Sequence, residues 1–234
     1  ETFEVEGGDG SIVAVEEDLS TGVAMIEVDE SGENHIVIIP GANGRMDRKY
    51  VDRNIERIAE ADFVLFQLEI PLDTITYTLE LLKDRRPMTI LDPAPAPSGG
   101  LPAGLIGGVD LITPNESEAF ALTGVEVTDE ASAKRAGEAL MEQGASRAII
   151  KAGGAGAYIV DQEGVAKVEG FPVEVADTTA AGDAFNAGLA FALGEDRSIR
   201  EAVRYGNAVG AMACTGVGAQ SAMPRPKDLE GLIG

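Results

Sequence analysis

The sequence has a single cysteine, Cys214, and no uninterrupted apolar run of about 18 residues or more among its 234 positions. One cysteine excludes a disulfide within the chain and suits a reducing compartment, so we expect a cytoplasmic protein. The lack of long apolar runs predicts that no segment spans a membrane. The only histidine, His35, lies in an apolar stretch, which favours a packed or surface side chain over a catalytic one.

Basic residues are also scarce, since 18 Lys and Arg face 40 Asp and Glu and the net charge is −22. This excess of negative charge repels phosphate backbones and anionic lipids, so we expect no nucleic-acid or membrane partner. Arginine outnumbers lysine twelve to six. An acidic, lysine-poor composition resembles that of proteins from salt-loving organisms, and we hypothesise that the protein works in molar salt.

The first 44 residues differ from the rest of the chain, because they contain eleven acidic residues and no lysine or arginine. Short β-rich runs, with a hairpin turn at 29–33, predict a small sheet apart from the main core. The runs predicted as strands are 2–6, 11–15, 22–28 and 34–39. We therefore divide the chain into a β-rich region with connecting strands, 1–44, and a core, 45–234.

From residue 45 onward, segments with helical and strand periodicity alternate. The predicted helices are 47–61, 72–83, 129–143 and 198–213, and the predicted strands are 63–66, 88–91, 109–112 and 147–150. This alternation predicts an α/β fold with a doubly wound, mainly parallel sheet between helices. Ligands of such sheets bind at the carboxyl ends of strands, where Glu69 and Asp92 follow two predicted strands.

One stretch, residues 177–186, reads Asp-Thr-Thr-Ala-Ala-Gly-Asp-Ala-Phe-Asn and predicts a turn of small residues followed by a helix. A helix N-terminus offers N–H groups and a positive dipole end that suit a phosphate group. Asp183, in the first helical turn, is placed to accept a proton from an attacking hydroxyl. Alternatively, Thr179 caps the helix and the small residues allow close packing. On this stretch alone both interpretations stay open.

The same ten residues resemble the signature of the ribokinase-like (PfkB-type) carbohydrate kinases, Asp-Thr-x-Ala-[Ala or Gly]-Gly-Asp-x-Phe. Residues 20–24, 32–34 and 40–43 resemble the lid hairpin of the ribokinases within that family. The resemblance implies the family's α/β fold with a small β-sheet lid, and a homodimer formed through the lid. It also implies that the substrates are ATP and a small sugar, with D-ribose phosphorylated at its 5-hydroxyl.

The resemblance assigns functional residues position by position. It makes Asp183 the catalytic base, lets Asp183, Glu69 and Asn43 contact the sugar, and forms an anion hole from the backbone of Ala180, Ala181 and Gly182. The nucleotide-binding residues that it implies are Asn115, Lys151, Gly153, Gly156, Gly182 and Asn207. It places Glu118 near Mg²⁺ or another divalent cation through water. It places an activating K⁺ among Asp177, Thr179, Ala213, Gly216, Gly218 and Ala222.

Simpler interpretations remain for two of these features, and a third departs from the family. Asn115 and the acids after it also make a good helix start, with Asn115 as the cap. The glycine-rich segment 151–157 lacks the spacing of a P-loop and also fits a tight hairpin. Ala222 stands where ribokinases commonly have a serine, so one ligand of the cation site differs from the family.

Two sugar-binding elements of ribokinases, an Asn-x-Asp on the first strand and a Gly-Gly-Lys-Gly-Ala-Asn loop, are not found. We therefore expect part of the N-terminal sugar-binding region to be missing, through truncation, natural deletion or omission of a segment. Two alternative functions follow. In the first, the substrate is another sugar, a sugar acid or a nucleoside. In the second, the chain is an inactive nucleotide-binding or dimerising fragment.

Overall fold

The computed structural model describes residues 2–28, 34–85, 87–97, 99–102 and 104–233, without the side chains of residues 2, 26–28 and 34–36. The helices are α1 Thr2–Val5, α2 Arg48–Ala59, α3 Leu72–Leu82, α4 Glu116–Thr123, α5 Glu130–Glu142, α6 Ala181–Gly194 and α7 Ile199–Ala213. The strands are β1 Val23–Val28, β2 Asn34–Ile39, β3 Phe63–Phe66, β4 Met88–Leu91, β5 Leu111–Ile112, β6 Arg147–Lys151, β7 Ala157–Asp161 and β8 Gly164–Val168.

The main sheet has the spatial order β3-β4-β5-β6-β7-β8. The pairs from β3 to β6 are parallel, and β7 and β8 add antiparallel strands. The α/β fold with a mainly parallel sheet is therefore confirmed, as is the hairpin that follows Lys151. Because the parallel strands follow one another in chain order, their carboxyl ends lie along one edge of the sheet.

Both faces of this sheet are covered, because successive side chains of a strand point to opposite sides. Leu91, Ile112 and Ile150 belong to the core beneath α3, α4 and α5. Their neighbours in sequence, Ile90, Leu111 and Ile149, pack with residues of α6 and α7. The two-sided burial explains why these strands are continuous apolar runs in the sequence.

Helix boundaries follow from capping. Asn115, Asp129 and Ser198 each cap a helix through a reciprocal pair of hydrogen bonds with the residue three positions later. The predicted cap at Asn115 is confirmed. Gly144 follows α5 with a φ of 114°, a left-handed conformation that suits glycine after a helix.

A separate antiparallel pair, β1 and β2, forms the small sheet, with Val23 opposite Ile39 and Met25 opposite Val37. The predicted hairpin turn at 29–33 and the side chain of His35 lie outside the described residues. Within the described ranges, no helix combines the length and the apolar character that crossing a membrane requires.

Two predicted strands are wrong. Residues 2–5 form one helical turn, closed by hydrogen bonds from the N–H groups of Gly7 and Gly8 to the carbonyls of Glu4 and Phe3. Residues 11–15 form a turn and irregular backbone, and the Tyr50 hydroxyl donates to the Ile12 carbonyl. Strand-like composition is insufficient in both places, because a strand needs a partner to satisfy its backbone.

Candidate active site

The start of α6 lies at the carboxyl edge of the main sheet and presents an exposed carboxylate. Ala180 precedes the helix with φ 60° and ψ 16°, and Asp183 lies in the first turn. The Gln67 amide, just after β3, donates to Asp183 Oδ1 at 2.7 Å. This bond holds the carboxylate at the rim of a cavity of about 120 Å³, whose lining includes Gln67, Asp92, Asp183 and Asn186.

The alternative interpretation of Thr179 as the cap of α6 is wrong. The Thr179 hydroxyl donates to Asp177 Oδ1 at 2.7 Å, and no side chain caps α6. The Ala181 N–H donates to the Thr178 carbonyl at 3.2 Å. The next two N–H groups, of Gly182 and Asp183, have no intrahelical carbonyl to reach, as at any helix start.

A buried polar cluster supports this turn from below. Lys151 Nζ donates to Asp92 Oδ1 at 2.9 Å, and the Asn186 amide donates to Asp92 Oδ2 at 2.7 Å. The Thr113 hydroxyl donates to Asn186 Oδ1 at 2.8 Å. Burial raises the pKa of the Asp92 carboxyl, while the Lys151 ammonium acts in the opposite direction. A Cβ at Gly182 would lie 3.2 Å from Lys151 Nζ, so the ammonium is directly under the helix start.

A second cavity, of about 400 Å³, also reaches this turn. Ala181 and Gly182 line it, together with Phe171 and Phe185. The residues predicted to bind the nucleotide all line this one cavity, namely Asn115, Lys151, Gly153, Gly156, Gly182 and Asn207. The structure thus brings together positions spread over more than ninety residues of sequence.

The glycine-rich loop after β6 packs tightly against the chain that leaves β8. A Cβ at Gly156, whose φ is 98°, would lie 2.1 Å from the Val168 carbonyl oxygen. The Asn207 amide donates to the carbonyls of Val168 and Glu169, both at 3.1 Å. Asn207 therefore fixes the cavity wall through its amide nitrogen.

Asn115 and Glu118 are joined by the capping box of α4. Asn115 Oδ1 accepts from the Glu118 N–H, and Glu118 Oε2 accepts from the Asn115 N–H, each at 2.8 Å. Burial raises the pKa of the Glu118 carboxyl. Asn115 also pairs with Lys151 in an isolated parallel bridge, which places it at the large cavity.

The positions predicted to hold a monovalent cation lie in the turn before α6 and in the segment from Ala213, the last residue of α7, to Ala222. Asp177 Oδ1 accepts from the Thr179 N–H and hydroxyl, and Asp177 Oδ2 accepts from the Gly218 N–H at 2.9 Å. These bonds, with the Thr179 hydroxyl first, lower the pKa of the Asp177 carboxyl. A Cβ at Gly216 would lie 3.0 Å from the Ala222 Cβ, so these two positions are close together. In the described part of the chain, no group of three or more His, Cys, Asp or Glu is arranged to hold a metal.

The predicted sugar contacts Glu69 and Asn43 lie outside the lining of the small cavity. Glu69 is exposed two residues beyond Gln67, and neither Glu69 nor Asn43 is among the residues lining the small cavity. Asn43 instead lies against Gly22, near β1. The residues that contact or support Asp183 and were not predicted as site residues are Gln67, Asp92, Thr113 and Asn186. Their only signals were strand-end positions and, for Asn186, its place in the 177–186 stretch.

A carboxylate at a helix start beside two cavities, at the carboxyl edge of an α/β sheet, is an arrangement suited to transferring a phosphoryl group to an alcohol, with a base for the hydroxyl and a helix start for the phosphate. The chain belongs to the pfkB family of carbohydrate kinases, whose sequence pattern matches residues 7–226.

Two comparisons with named proteins agree. The chain is 39% identical over 97% of its length to a ribokinase of Haemophilus influenzae, of which it covers 74%. It is also similar to the crystal structure of a Thermotoga maritima ribokinase, with a TM-score of 0.84, 37% identity and coverage of 98% of this chain and 74% of the other.

A third similar protein carries both ligands. The Arabidopsis thaliana ribokinase complexed with ribose and ATP gives a TM-score of 0.85 at 28% identity, with coverage of 99% of this chain and 76% of that one.

Proposed function

We propose that the protein transfers the γ-phosphoryl group of ATP to the 5-hydroxyl of D-ribose. One observation carries this proposal, namely that neighbouring residues of a single helical turn line two different cavities. Asp183 lines the small cavity, and Ala181 and Gly182 line the large one. A hydroxyl in the first cavity and a nucleotide in the second would meet at this turn. The ribokinase relatives, one of them complexed with ribose and ATP, support the choice of substrates.

Asp183 accepts the proton of the 5-hydroxyl as the hydroxyl oxygen bonds to the γ-phosphorus and the bond to the departing ADP oxygen breaks. The Gln67 amide holds the carboxylate in place through Oδ1. The N–H groups of Gly182 and Asp183, at the positive end of α6, stabilise charge on the transferring group. Ala181 joins them once its N–H exchanges the Thr178 carbonyl for a phosphoryl oxygen.

The residues present fit the cations that the family implies. Glu118 uses Oε2 for the Asn115 N–H, which leaves Oε1 to accept from a water molecule of Mg²⁺. A carboxylate has about four lone-pair sites, so Asp177 keeps capacity for K⁺ beyond the bonds it accepts. Backbone carbonyls at 213, 216, 218 and 222 would supply further oxygen ligands, because every residue has a backbone carbonyl whatever its side chain. Bound Mg²⁺ would neutralise phosphate charge.

Ribose-dependent release of ADP in molar KCl with Mg²⁺ tests the proposal. Asp183→Asn should lower kcat by about 10²-fold or more and leave ATP affinity nearly unchanged, since the amide cannot take the proton. Asp84→Asn is the matched control. Asp84 has a φ of 63°, which asparagine tolerates, and it lies among residues at the opposite edge of the sheet.

The outcomes separate the candidate functions. Normal turnover by Asp183→Asn would remove Asp183 from its role as the base. Turnover with another sugar, a sugar acid or a nucleoside, but not with ribose, would reassign the substrate. ATP binding without turnover of any acceptor would identify an inactive nucleotide-binding module.

We also propose that residues 1–44 act as a lid over the core 45–234 and that the protein is a cytoplasmic homodimer adapted to high salt. The dimer is supported by apolar side chains exposed on β1 and β2, of which Val23, Met25 and Val37 are 45%, 55% and 44% exposed. The adaptation to salt is supported by the net charge of −22.

A further inference from the structure

Asp92 is the hub of the buried cluster under α6, and the mechanism above does not use it. Its side chain is 6% exposed and that of Lys151 is 13% exposed. One carboxylate oxygen holds the Lys151 ammonium and the other holds the Asn186 amide. Asp92 therefore links Lys151, at the end of β6, to Asn186, which lies in α6 three residues after Asp183.

Burying an ion pair is expensive, and a pair of apolar side chains of similar size is often as stable or more stable. Within the described residues, no buried side-chain nitrogen or oxygen lacks a hydrogen-bond partner. Each buried polar atom of the cluster thus has a partner, and Thr113 fixes the Asn186 amide so that its nitrogen faces Asp92. Such an arrangement selects a single orientation of each group, which is more than packing requires.

The cluster holds the Lys151 ammonium next to the proposed phosphoryl site. A Cβ built at Gly182 would lie 3.2 Å from Lys151 Nζ and 3.5 Å from Asp92 Oδ2. The ammonium is therefore held within contact distance of the backbone that we propose binds the phosphoryl group. Asn186 is on the same helix as Asp183, three residues further along, so its bond to Asp92 also fixes the rotation of α6.

We propose that Asp92 is a positioning residue of the kinase, which aligns Lys151 with the nucleotide phosphates through Oδ1 and fixes Asp183 through Asn186 and α6. This inference rests on the proposed phosphoryl transfer. Asp92 acts through its two partners and not on the reacting atoms. Misplacement of catalytic groups by about 1 Å costs about 10²-fold in rate.

Asp92→Asn tests this role because an amide can accept from only one of the two donors and turns an N–H toward the other. We expect kcat to fall by about 10²-fold. We expect ATP affinity to change much less than kcat, because removal of a negative charge near the phosphates offsets the lost alignment of Lys151. A merely structural loss would instead weaken ATP binding together with kcat.

Asp110→Asn is the matched control. Asp110 Oδ2 accepts from the N–H and hydroxyl of Thr89 at the opposite edge of the sheet, at 2.8 and 2.9 Å. Asp110→Asn should lower the unfolding temperature with little change in kcat. Thr113→Val, which keeps the shape and removes one bond of the cluster, should lower kcat less than Asp92→Asn and gives a second test if Asp92→Asn fails to fold.

A double-mutant cycle on ATP affinity gives a readout without turnover. Lys151→Gln is introduced into the wild type and into Asp92→Asn, and the factor by which it changes the ATP dissociation constant is measured in each. We expect the two factors to differ about threefold or more. Equal factors, or equal losses of kcat in Asp92→Asn and Asp110→Asn, would overturn the inference. A wild type that binds ATP without phosphorylating ribose would overturn the proposed function, and the cycle would still decide on Asp92.

Discussion

At the scale of single residues, Asn115 combines two tasks that substitution can separate. Its side chain caps α4 by accepting from the Glu118 N–H, and the same residue lines the large cavity beside Lys151. Aspartate is as good a helix cap as asparagine, whereas its charge is unfavourable next to a phosphate group. The capping task tolerates a carboxylate and the proposed nucleotide-binding task does not.

Asn115→Asp should therefore keep the unfolding temperature and weaken ATP binding about tenfold or more, since the added charge lies in the cavity wall. Titration with ATP and a thermal melt measure the two effects. The matched control is Asp129→Asn, the reverse exchange at the cap of α5, which should leave both nearly unchanged. Unaltered ATP affinity in Asn115→Asp would contradict a nucleotide in this cavity.

At the scale of elements, the glycine-rich loop after β6 depends on two close backbone approaches. Gly156 has a φ of 98°, and its Cβ would lie 2.1 Å from the Val168 carbonyl oxygen and 2.5 Å from the Gly170 nitrogen. A Cβ at Gly170 would in turn lie 2.5 Å from the Gly154 carbonyl oxygen. Backbone atoms on both sides cannot move aside as a flexible side chain could, so the loop and the segment after β8 form one interlocked wall.

Gly156→Ala should lower the free energy of unfolding by about 2 to 4 kcal/mol and weaken ATP binding, because both the steric clash and the left-handed φ oppose the methyl group. Gly154→Ala is the control within the same loop, since nothing lies within 4 Å of its Cβ and no positive φ is required there. Chemical denaturation of the two variants measures the difference. Equal stability would mean that the loop packs differently.

Local pattern predicted the regular elements well where each had a partner in the fold. The strands Phe63–Phe66 and Met88–Leu91 match their predictions residue for residue, because each is rich in apolar residues and the two pair with each other in the sheet. The same reasoning failed for 2–6 and 11–15, since β-like composition does not supply a neighbouring strand. The predicted strand 109–112 is shorter, and only Leu111–Ile112 pairs.

The candidate site shows the same division between local and distant information. Asp183 and the residues around the large cavity lie in motifs that can be recognised one at a time. The contacts of Gln67 and Asp92 became visible only in three dimensions, because their partners are 116 and 94 residues away in the chain. A strand-end position suggested Asp92, but periodicity carries no information about which distant amide or ammonium it meets.

At the scale of the whole molecule, an exposed apolar surface coexists with strong like charge. Val23, Met25, Val37 and Ile39 form a continuous apolar face of the small sheet through the pairing of β1 with β2. Residues 1–44 also carry eleven acidic groups and no Lys or Arg. Burial of this face between two copies would be favourable, whereas the approach of two such acidic regions is opposed by charge repulsion that salt screens.

We therefore expect a homodimer in molar KCl that dissociates as the salt falls toward about 0.1 M, where the Debye length has grown to about 10 Å. Sedimentation across this range measures the mass, with Met25→Glu as the disruptive variant because its side chain is 55% exposed at the centre of the apolar face. Val15→Glu adds the same charge at a more accessible residue, 86% exposed and outside the small sheet, and should stay dimeric. A monomer at every salt concentration would exclude the dimer, while a dimer insensitive to both salt and Met25→Glu would place the interface on another surface.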